Sequence, residues 1–278
     1  MLSHLPFSVL YRISDFFYFV SAYLIRYRRR VVLQNLRNSF PEKSEKEIRR
    51  ISRGFYRNLA DVIVETIKLL TVKDKEILRR CSFSGENKLL MEQYYQNGQS
   101  FIGLLGHTGN WEWVPPLVTL SLPYDVIPAY RPFSDRVIDR LMLKIRGRYT
   151  FELVPKNQVG RAVIRHRKSG RPIILGLITD QFPGAQAAYT TTFLSQETYV
   201  YSGPEKLARS FNMPVFFVSL RKQRRGYYHF HTELLAEKPA ELPEGELSKM
   251  FMGRLEAEIH ERPAYWLWSH RRWKRRKQ

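Results

Sequence analysis

One histidine and one glutamate, His107 and Glu112, are separated by four residues in a segment that is typical of a reactive loop. The segment runs from an apolar stretch at Phe101 through Gly106 into a polar turn. A neutral imidazole can accept the proton of an attacking hydroxyl, and a carboxylate bonded to its other ring nitrogen fixes the tautomer and stabilises the imidazolium. The segment therefore predicts a general-base pair, with His107 before a helix and Glu112 in the first turn of that helix.

The spacing of this pair is weak support when it is taken alone. With 7 histidines and 26 acidic residues among 278, one such spacing is unsurprising by chance. On one continuous helix, residues five positions apart would also lie on different faces. A histidine that merely caps a strand end is the alternative interpretation. The passage from strand through glycine into a turn is what favours the catalytic one.

The elements that must position this pair indicate an α/β fold. Beyond Gly85, short apolar runs alternate with helical stretches, which is the pattern of a sheet flanked by helices. We predict one α/β domain with a central mixed sheet and a helical N-terminal portion. Strands are predicted at 100–106, 124–129, 151–154, 173–179, 215–220 and 227–235, the last two as a hairpin that turns at Arg225-Gly226. Helices are predicted at 134–146, 159–168, 204–211 and 246–261.

The stretch 31–70 has a helical pattern that is broken once, at Phe40-Pro41. Ser44 and Glu47 form a capping box, which opens the second of these helices. This portion is expected to pack on the sheet through its apolar face.

Residues 1–30 are predicted to associate with a membrane, and residues 31–278 to form the main domain. An apolar stretch at 16–25 is followed directly by several arginines. Such a basic flank favours the anionic, cytoplasmic surface of a membrane. Arg12 and Asp15 lie three apart and could pair on a helix. A short tilted span, an interfacial helix and a buried helix of a soluble fold all stay open. The arginines that follow the apolar stretch are Arg26, Arg28, Arg29 and Arg30.

The charge balance predicts a polyanionic neighbour. The chain has 46 Lys and Arg against 26 Asp and Glu, a formal net charge of +20. Nucleic acid, an anionic membrane face and an acidic carrier protein would all be attracted, and a solvated basic surface is the alternative. RNA-binding, zinc-finger and basic-zipper signatures are absent from the sequence, so no nucleic-acid partner is predicted. Cys81 is the single cysteine, which excludes an internal disulfide.

No cofactor is predicted. His229 and His231 alternate on a predicted strand, but the sequence offers no third ligand at a helpful spacing, so a metal site is disfavoured. The sequence also contains no phosphate-binding loop and no Gly-x-Ser-x-Gly elbow of a serine hydrolase.

Several segments together resemble the late acyltransferases of lipid A biosynthesis, a branch of the lysophospholipid acyltransferase superfamily. Gly106–Glu112 resembles the His-x4-acid block of glycerolipid-type acyltransferases. The resemblance covers essentially all 278 residues. The further matching segments are, in order, Arg29–Pro41, Tyr130-Arg131-Pro132, Asp180-Gln181, Gly203–Ala208 and His270–Trp273. The chain departs from the family at Ser195 and at Ala264-Tyr265-Trp266, which bears on acyl-chain preference and acceptor.

The resemblance implies a glycerolipid-acyltransferase-like fold, with residues 31–278 as the acyltransferase domain. It implies catalysis by His107 as general base, Glu112 as its orienting partner and Arg131 at the reacting centre or a phosphate.

Substrate-binding positions are also implied. Asp180 ends a predicted strand at the same edge of the sheet as His107, with helix capping as its alternative role. Gly203 and Pro204 open a helix whose amide end can face a phosphate, or simply begin that helix. The full set of predicted substrate-binding residues is Asn110, Asp180, Gln181, Gly203 and Pro204.

The implied function is transfer of a fatty acyl group from acyl carrier protein to a hydroxyl of a lipid A precursor, at the cytoplasmic face of the bacterial inner membrane. Transfer to another lysolipid or to an aminolipid is one alternative. A non-enzymatic protein that binds a membrane surface or nucleic acid is the other, and it leaves the ordered motifs unexplained.

Overall fold

The computed structural model describes residues 2–183 and 187–273 and has the predicted α/β architecture. The helices are α1 (Phe7–Phe19), α2 (Arg29–Ser39), α3 (Glu45–Lys68), α4 (Asp74–Arg80), α5 (Gly85–Gln96), α6 (Val114–Ser121), α7 (Arg136–Gly147), α8 (Val159–Ser169), α9 (Gly203–Phe211) and α10 (Glu246–Glu261). The strands are β1 (Cys81–Phe83), β2 (Phe101–Leu105), β3 (Asp125–Tyr130), β4 (Val154–Pro155), β5 (Ile173–Ile178), β6 (Ala187–Phe193), β7 (Gln196–Tyr201), β8 (Val215–Arg224) and β9 (Tyr227–Ala236).

The main sheet has seven strands in the order β1-β9-β8-β2-β5-β3-β4. Strands β8, β2, β5, β3 and β4 run parallel, and β9 returns antiparallel to β8 as the predicted hairpin. The carboxyl ends of β2, β5 and β3 therefore meet at one edge of the sheet. Ligands of open parallel sheets bind at this edge. Strands β6 and β7 form a separate antiparallel hairpin.

Helices cover both faces of the sheet, because the central strands are apolar on both sides. Every residue of β2 is buried, as is usual for a parallel strand in the middle of a sheet. Ile102 and Leu104 point to one core, with α2, α3, α8, α9 and α10. Phe101 and Leu105 point to the other, with α4, α5, α6 and α7. The free cysteine Cys81 is buried in the second core.

The N-terminal portion packs on the main domain through α1 and α3. The predicted capping box is present at Ser44 and Glu47. Ser14 of α1 donates a 2.7 Å hydrogen bond to Asp61 of α3. The sequence allowed a pair between Arg12 and Asp15. In the structure Asp15 instead pairs with Arg225, at 2.7 Å.

One region of the N-terminal portion, at the end of α1 and just after it, exposes several large apolar side chains. A π-helical turn, Val20–Leu24, follows α1, and large side chains around it are exposed. Among the residues described, no helix combines the length and the apolar character needed to cross a bilayer. Association of residues 1–30 with a membrane stays a prediction. The exposed side chains are Phe16, Phe19, Tyr23, Leu24, Ile25 and Tyr27.

One predicted strand is shorter than expected, and three strands were not predicted. The strand expected at 151–154 is reduced to β4, Val154–Pro155, and Phe151 is exposed. The hairpin of β6 and β7 and the short edge strand β1 were absent from the sequence prediction.

Candidate active site

His107 lies at the carboxyl edge of the sheet, two residues beyond the end of β2, and contacts Asp180 just beyond β5. The two atoms Nδ1 of His107 and Oδ1 of Asp180 are 2.6 Å apart. The backbone N–H of His107 donates to Oδ2 of the same carboxylate at 2.8 Å. The neighbouring strands β2 and β5 thus bring together two residues that are 73 positions apart in the sequence.

The carboxylate of Asp180 fixes the tautomer of His107. Asp180 is 1% exposed, and Oδ2 also accepts a 2.7 Å hydrogen bond from Nε1 of Trp266. Burial alone would raise the pKa of Asp180, but the charge of His107 and these hydrogen bonds lower that pKa to about 2. An ionised carboxylate only accepts hydrogen bonds, so Nδ1 of His107 carries a proton. The lone pair then lies on Nε2, as a general base requires.

The loop after His107 is clamped between β8 and the C-terminal segment. Gly109 has a φ of 58°, and a Cβ at this position would lie 1.9 Å from the carbonyl oxygen of Leu220. Glycine is therefore required here for two independent reasons. The N–H of Gly109 donates to the carbonyl of Tyr265 at 3.1 Å, and Thr108 forms a β-bridge with Trp266.

Glu112 does not contact His107 as the spacing predicted. Its carboxylate accepts from Nη2 of Arg146 at 2.6 Å and from Nε of Arg146 at 3.0 Å. Nε1 of Trp111 donates to the same carboxylate at 3.2 Å. The reason is local, since residues 111–113 form a 3₁₀ turn that directs Glu112 towards α7 instead of back to the strand end. The place at Nδ1 that was expected for Glu112 is taken by Asp180.

Asn110, predicted to bind substrate, lies beneath the loop rather than in the cavity described below. It is fully buried, and its Nδ2 donates to Oε2 of Glu65 at 2.5 Å. Glu65 also accepts hydrogen bonds from the hydroxyls of Tyr228, at 2.5 Å, and Tyr11, at 2.8 Å. Burial raises the pKa of Glu65. This placement favours a role for Asn110 in holding the His107 loop.

Glu65 helps to hold the His107 loop through Asn110, and the sequence analysis did not identify it. It lies one helical turn after Asp61 on the buried face of α3, and both are within 1% of full burial. Buried acidic residues need partners, so two such residues at a four-residue spacing on the apolar face of a helix were an available signal of a polar network.

A cavity of about 1280 Å³ opens beside His107 and has an apolar arm on one face of the sheet. Gly103 of β2 is aligned with Gly176 of β5, and Gly176 with Pro128 of β3. Because two neighbouring positions on this face lack side chains, a trough runs across the strands. The apolar arm is walled by Met91, Phe101, Leu105, Val114, Val118, Val126, Ile174, Val218 and Phe230.

The mouth of the cavity is polar and holds several predicted site residues. Arg131 is exposed and lines it, and Gln181 places Nε2 3.3 Å from Nε2 of His107. Gly203 and Pro204 line it too, where α9 begins. The structure thus brings His107, Arg131 and Gln181 to one cavity, with Asp180 behind the histidine. Their roles in binding and catalysis stay predictions.

The C-terminal motif at 270–273 lies beside the cavity and packs against β7. Arg272 is 1% exposed and donates to Thr198 Oγ1 at 2.6 Å and to the carbonyl of Tyr199 at 2.7 Å. Burial lowers the pKa of Arg272 to about 10. His270 and Arg271 line the cavity mouth. The basic positions 274–277 lie outside the described residues.

The two alternating histidines have protein partners. Nδ1 of His229 lies 2.9 Å from the hydroxyl of Ser82, and Nε2 of His231 lies 2.9 Å from Nη2 of Arg254. Within residues 2–183 and 187–273, no group of three or more His, Cys, Asp or Glu is arranged to hold a metal ion.

At the edge of this α/β sheet, a histidine held by a buried carboxylate lies beside an apolar cavity. Such an arrangement suits an enzyme that removes a proton next to a hydrocarbon chain. The chain belongs to the bacterial lipid A biosynthesis acyltransferase family, whose model matches residues 1–275. It is therefore an acyltransferase of lipid A biosynthesis, as the resemblance implied. A search of the curated proteins gave no match.

Proposed function

We propose that the protein transfers a fatty acyl group from acyl carrier protein to a hydroxyl of a lipid A precursor, with His107 as the general base. The observation that carries this proposal is the position of His107, held through Nδ1 by a buried Asp180 while its other face lines a cavity with a long apolar arm. Family membership supports the reaction class.

The chemical step needs one proton carrier. Nε2 of His107 takes the proton of the acceptor hydroxyl as the oxygen attacks the thioester carbonyl, and Asp180 stabilises the imidazolium. The carbon–sulfur bond of the tetrahedral intermediate then breaks. The departing thiolate of the carrier takes the proton back from Nε2, which restores the neutral imidazole. The product is an ester, and no cofactor is consumed.

Groups at the cavity mouth are placed to assist this step. The amide of Gln181 lies beside Nε2 of His107. The guanidinium of Arg131 is always charged and can steady a developing oxyanion or hold a phosphate by two bonds. We assign Arg131 to this role. We assign the orientation of His107 to Asp180 and give Glu112 the task of fixing Arg146 in the cavity wall, since that ion pair occupies its carboxylate.

The apolar arm is the proposed site of the donor acyl chain. A hydrocarbon chain prefers a trough whose walls are apolar, with a gain of about 0.8 kcal/mol for each buried methylene. Gly103 and Gly176 leave the room for it on the sheet. The side chains beyond this glycine pair, Phe101 and Ile174, would set how many carbons fit.

The charge of the chain supports an acidic donor protein and a membrane-borne acceptor. At +20 the protein attracts acidic partners over distances of about 8–10 Å in physiological salt. Acyl carrier protein is such a partner. The proposed location is the cytoplasmic face of the inner membrane, where carrier and anionic lipid are both present.

The test is acyl transfer from labelled acyl carrier protein to tetra- and penta-acylated lipid A precursors in detergent micelles. His107→Ala should lose at least about a hundredfold in rate, the usual contribution of a general base. His229→Ala is the matched control, because His229 lies on β9 and bonds to Ser82 instead of lining the cavity. Undiminished transfer by His107→Ala would overturn the mechanism. Transfer to lysophospholipid but not to either precursor would show that the acceptor is a lysophospholipid and not a lipid A precursor.

A further inference from the structure

Helix α7 carries an apolar stripe that the fold does not cover. Val137 is 75% exposed, Ile138 49% and Leu141 40%. On a helix these three residues share one side, which we call the outer face of α7. By contrast, Ile145 on the last turn is 1% exposed and packs into the core with α6. The outer face is thus apolar without belonging to the core.

A row of cations borders the outer face. Arg136, Arg140 and Lys144 follow at a spacing of four and lie along one edge of it. All three are exposed. In the part of the chain that the structure describes, none of their side chains forms an ion pair or hydrogen bond. An apolar stripe flanked by unpaired lysine and arginine is the composition of helices that lie in the headgroup region of anionic bilayers.

The position of α7 ties this face to the cavity. Arg131, Pro132 and Phe133, in the loop that leads into α7, are exposed and line the cavity mouth. On the inner side of the same helix, Arg146 lines the cavity and pairs with Glu112 at 2.6 Å. Whatever binds the outer face therefore lies next to the entrance of the active-site cavity.

We propose that α7 is a membrane-docking helix that places Val137, Ile138 and Leu141 at the boundary between headgroups and acyl chains of an anionic bilayer. The positive charge beside the outer face favours an anionic bilayer as its binding partner. A second copy of the chain, at +20, would be repelled by an unpaired basic row, whereas anionic lipid is attracted to it. That docking serves to deliver a lipid acceptor to the cavity mouth rests on the proposed function. That α7 binds the membrane does not rest on it.

The docking is tested with the full chain and vesicles, without acyl transfer. Wild type is floated with phosphatidylglycerol–phosphatidylethanolamine vesicles and with pure phosphatidylcholine vesicles. The double variant Val137→Asp with Leu141→Asp should bind the anionic vesicles at least about tenfold more weakly, because it puts two charges into the apolar boundary. Ile164→Asp is the control, since Ile164 is 48% exposed on α8 and this variant places an acidic side chain at an exposed apolar position away from α7.

A second variant guards against loss of folding. Arg140→Glu with Lys144→Glu keeps the apolar stripe and should reduce the preference for anionic over neutral vesicles at least about tenfold, because two cations beside the stripe become anions. In detergent micelles, activity of all variants should stay within about threefold of wild type, which separates docking from catalysis. Binding of both double variants to anionic vesicles like wild type would overturn the proposal. So would a wild-type dimer that the Val137 variant dissociates without a change in vesicle binding.

Discussion

Replacing Asp180 by asparagine keeps the size of the side chain and removes its charge. The carboxylate accepts hydrogen bonds from two groups of His107 and from Trp266, at 2.6–2.8 Å. An amide retains one accepting oxygen, while its NH₂ must face a donor. Breaking such a buried charged pair costs about 3–5 kcal/mol. If this energy stabilises the imidazolium, it appears in the barrier as a loss of about 10²- to 10⁴-fold in kcat.

The assay is steady-state transfer from acyl carrier protein, with kcat and KM measured separately. Asp180→Asn should lower kcat and leave KM for both substrates nearly unchanged, because the residue lies behind His107 and not in the cavity. Glu112→Gln should lose less than about tenfold, since it loosens Arg146 and leaves the histidine in place. Circular dichroism and thermal unfolding identify variants that fail to fold. A loss above a hundredfold for Glu112→Gln, together with near-normal Asp180→Asn, would refute the assignment.

Three further expectations follow from the same geometry. Gly103→Val and Gly176→Val should shift donor preference to chains shorter by about two to four carbons in a competition assay with mixed acyl carrier proteins, since each side chain fills the trough by a few ångströms. Glu65→Gln should lower the free energy of unfolding by about 2–4 kcal/mol in urea, because one of three donors loses its acceptor. The pKa of Asp180 is lowered to about 2, so its stabilisation is complete above the unfolded value near 4 and is lost as pH falls towards 2; wild type should therefore lose stability over this range relative to Asp180→Asn.

The sequence predicted the elements whose periodicity is strong and whose ends carry chemical signals. Helix α10 has the predicted bounds, and the capping box of α3 and the hairpin of β8 and β9 are as expected. Strands β2 and β5 were recognised because buried parallel strands are continuous apolar runs. Because both strands were expected to run in the same direction, their carboxyl ends were expected at the same edge of the sheet.

The hairpin of β6 and β7 was not predicted, because its turn lacks the residues that are usual in two-residue hairpin turns. Phe193 is paired with Gln196, and the two residues between them, Leu194 and Ser195, both have a positive φ. Such two-residue turns ordinarily use Asn-Gly or Asp-Gly. Here the N–H of Leu194 donates to Glu256 of α10 at 2.9 Å, and the buried side chain of Leu194 adds core contacts. Tertiary contacts thus hold a turn that local preference would not predict.

The partner of His107 could not be chosen from local spacing. Glu112 is close in sequence, but its direction depends on the 3₁₀ turn at 111–113 and on an arginine from a distant helix. Asp180 was a candidate through its strand end, with capping as an equal alternative. Which carboxylate reaches Nδ1 depends on the adjacency of β2 and β5. A single sequence constrains this adjacency only weakly.

The hydrogen bond from the indole of Trp266 determines when, during synthesis of the chain, the proposed active site can form. Its hydrogen bond to Asp180 spans 86 residues, and the segment carrying it also holds Gly109 through Tyr265. During synthesis, His107 and Asp180 emerge well before the residues that lock them in place. The proposed catalytic geometry can therefore be completed only after translation has passed Trp266, and a partly made chain lacks these contacts.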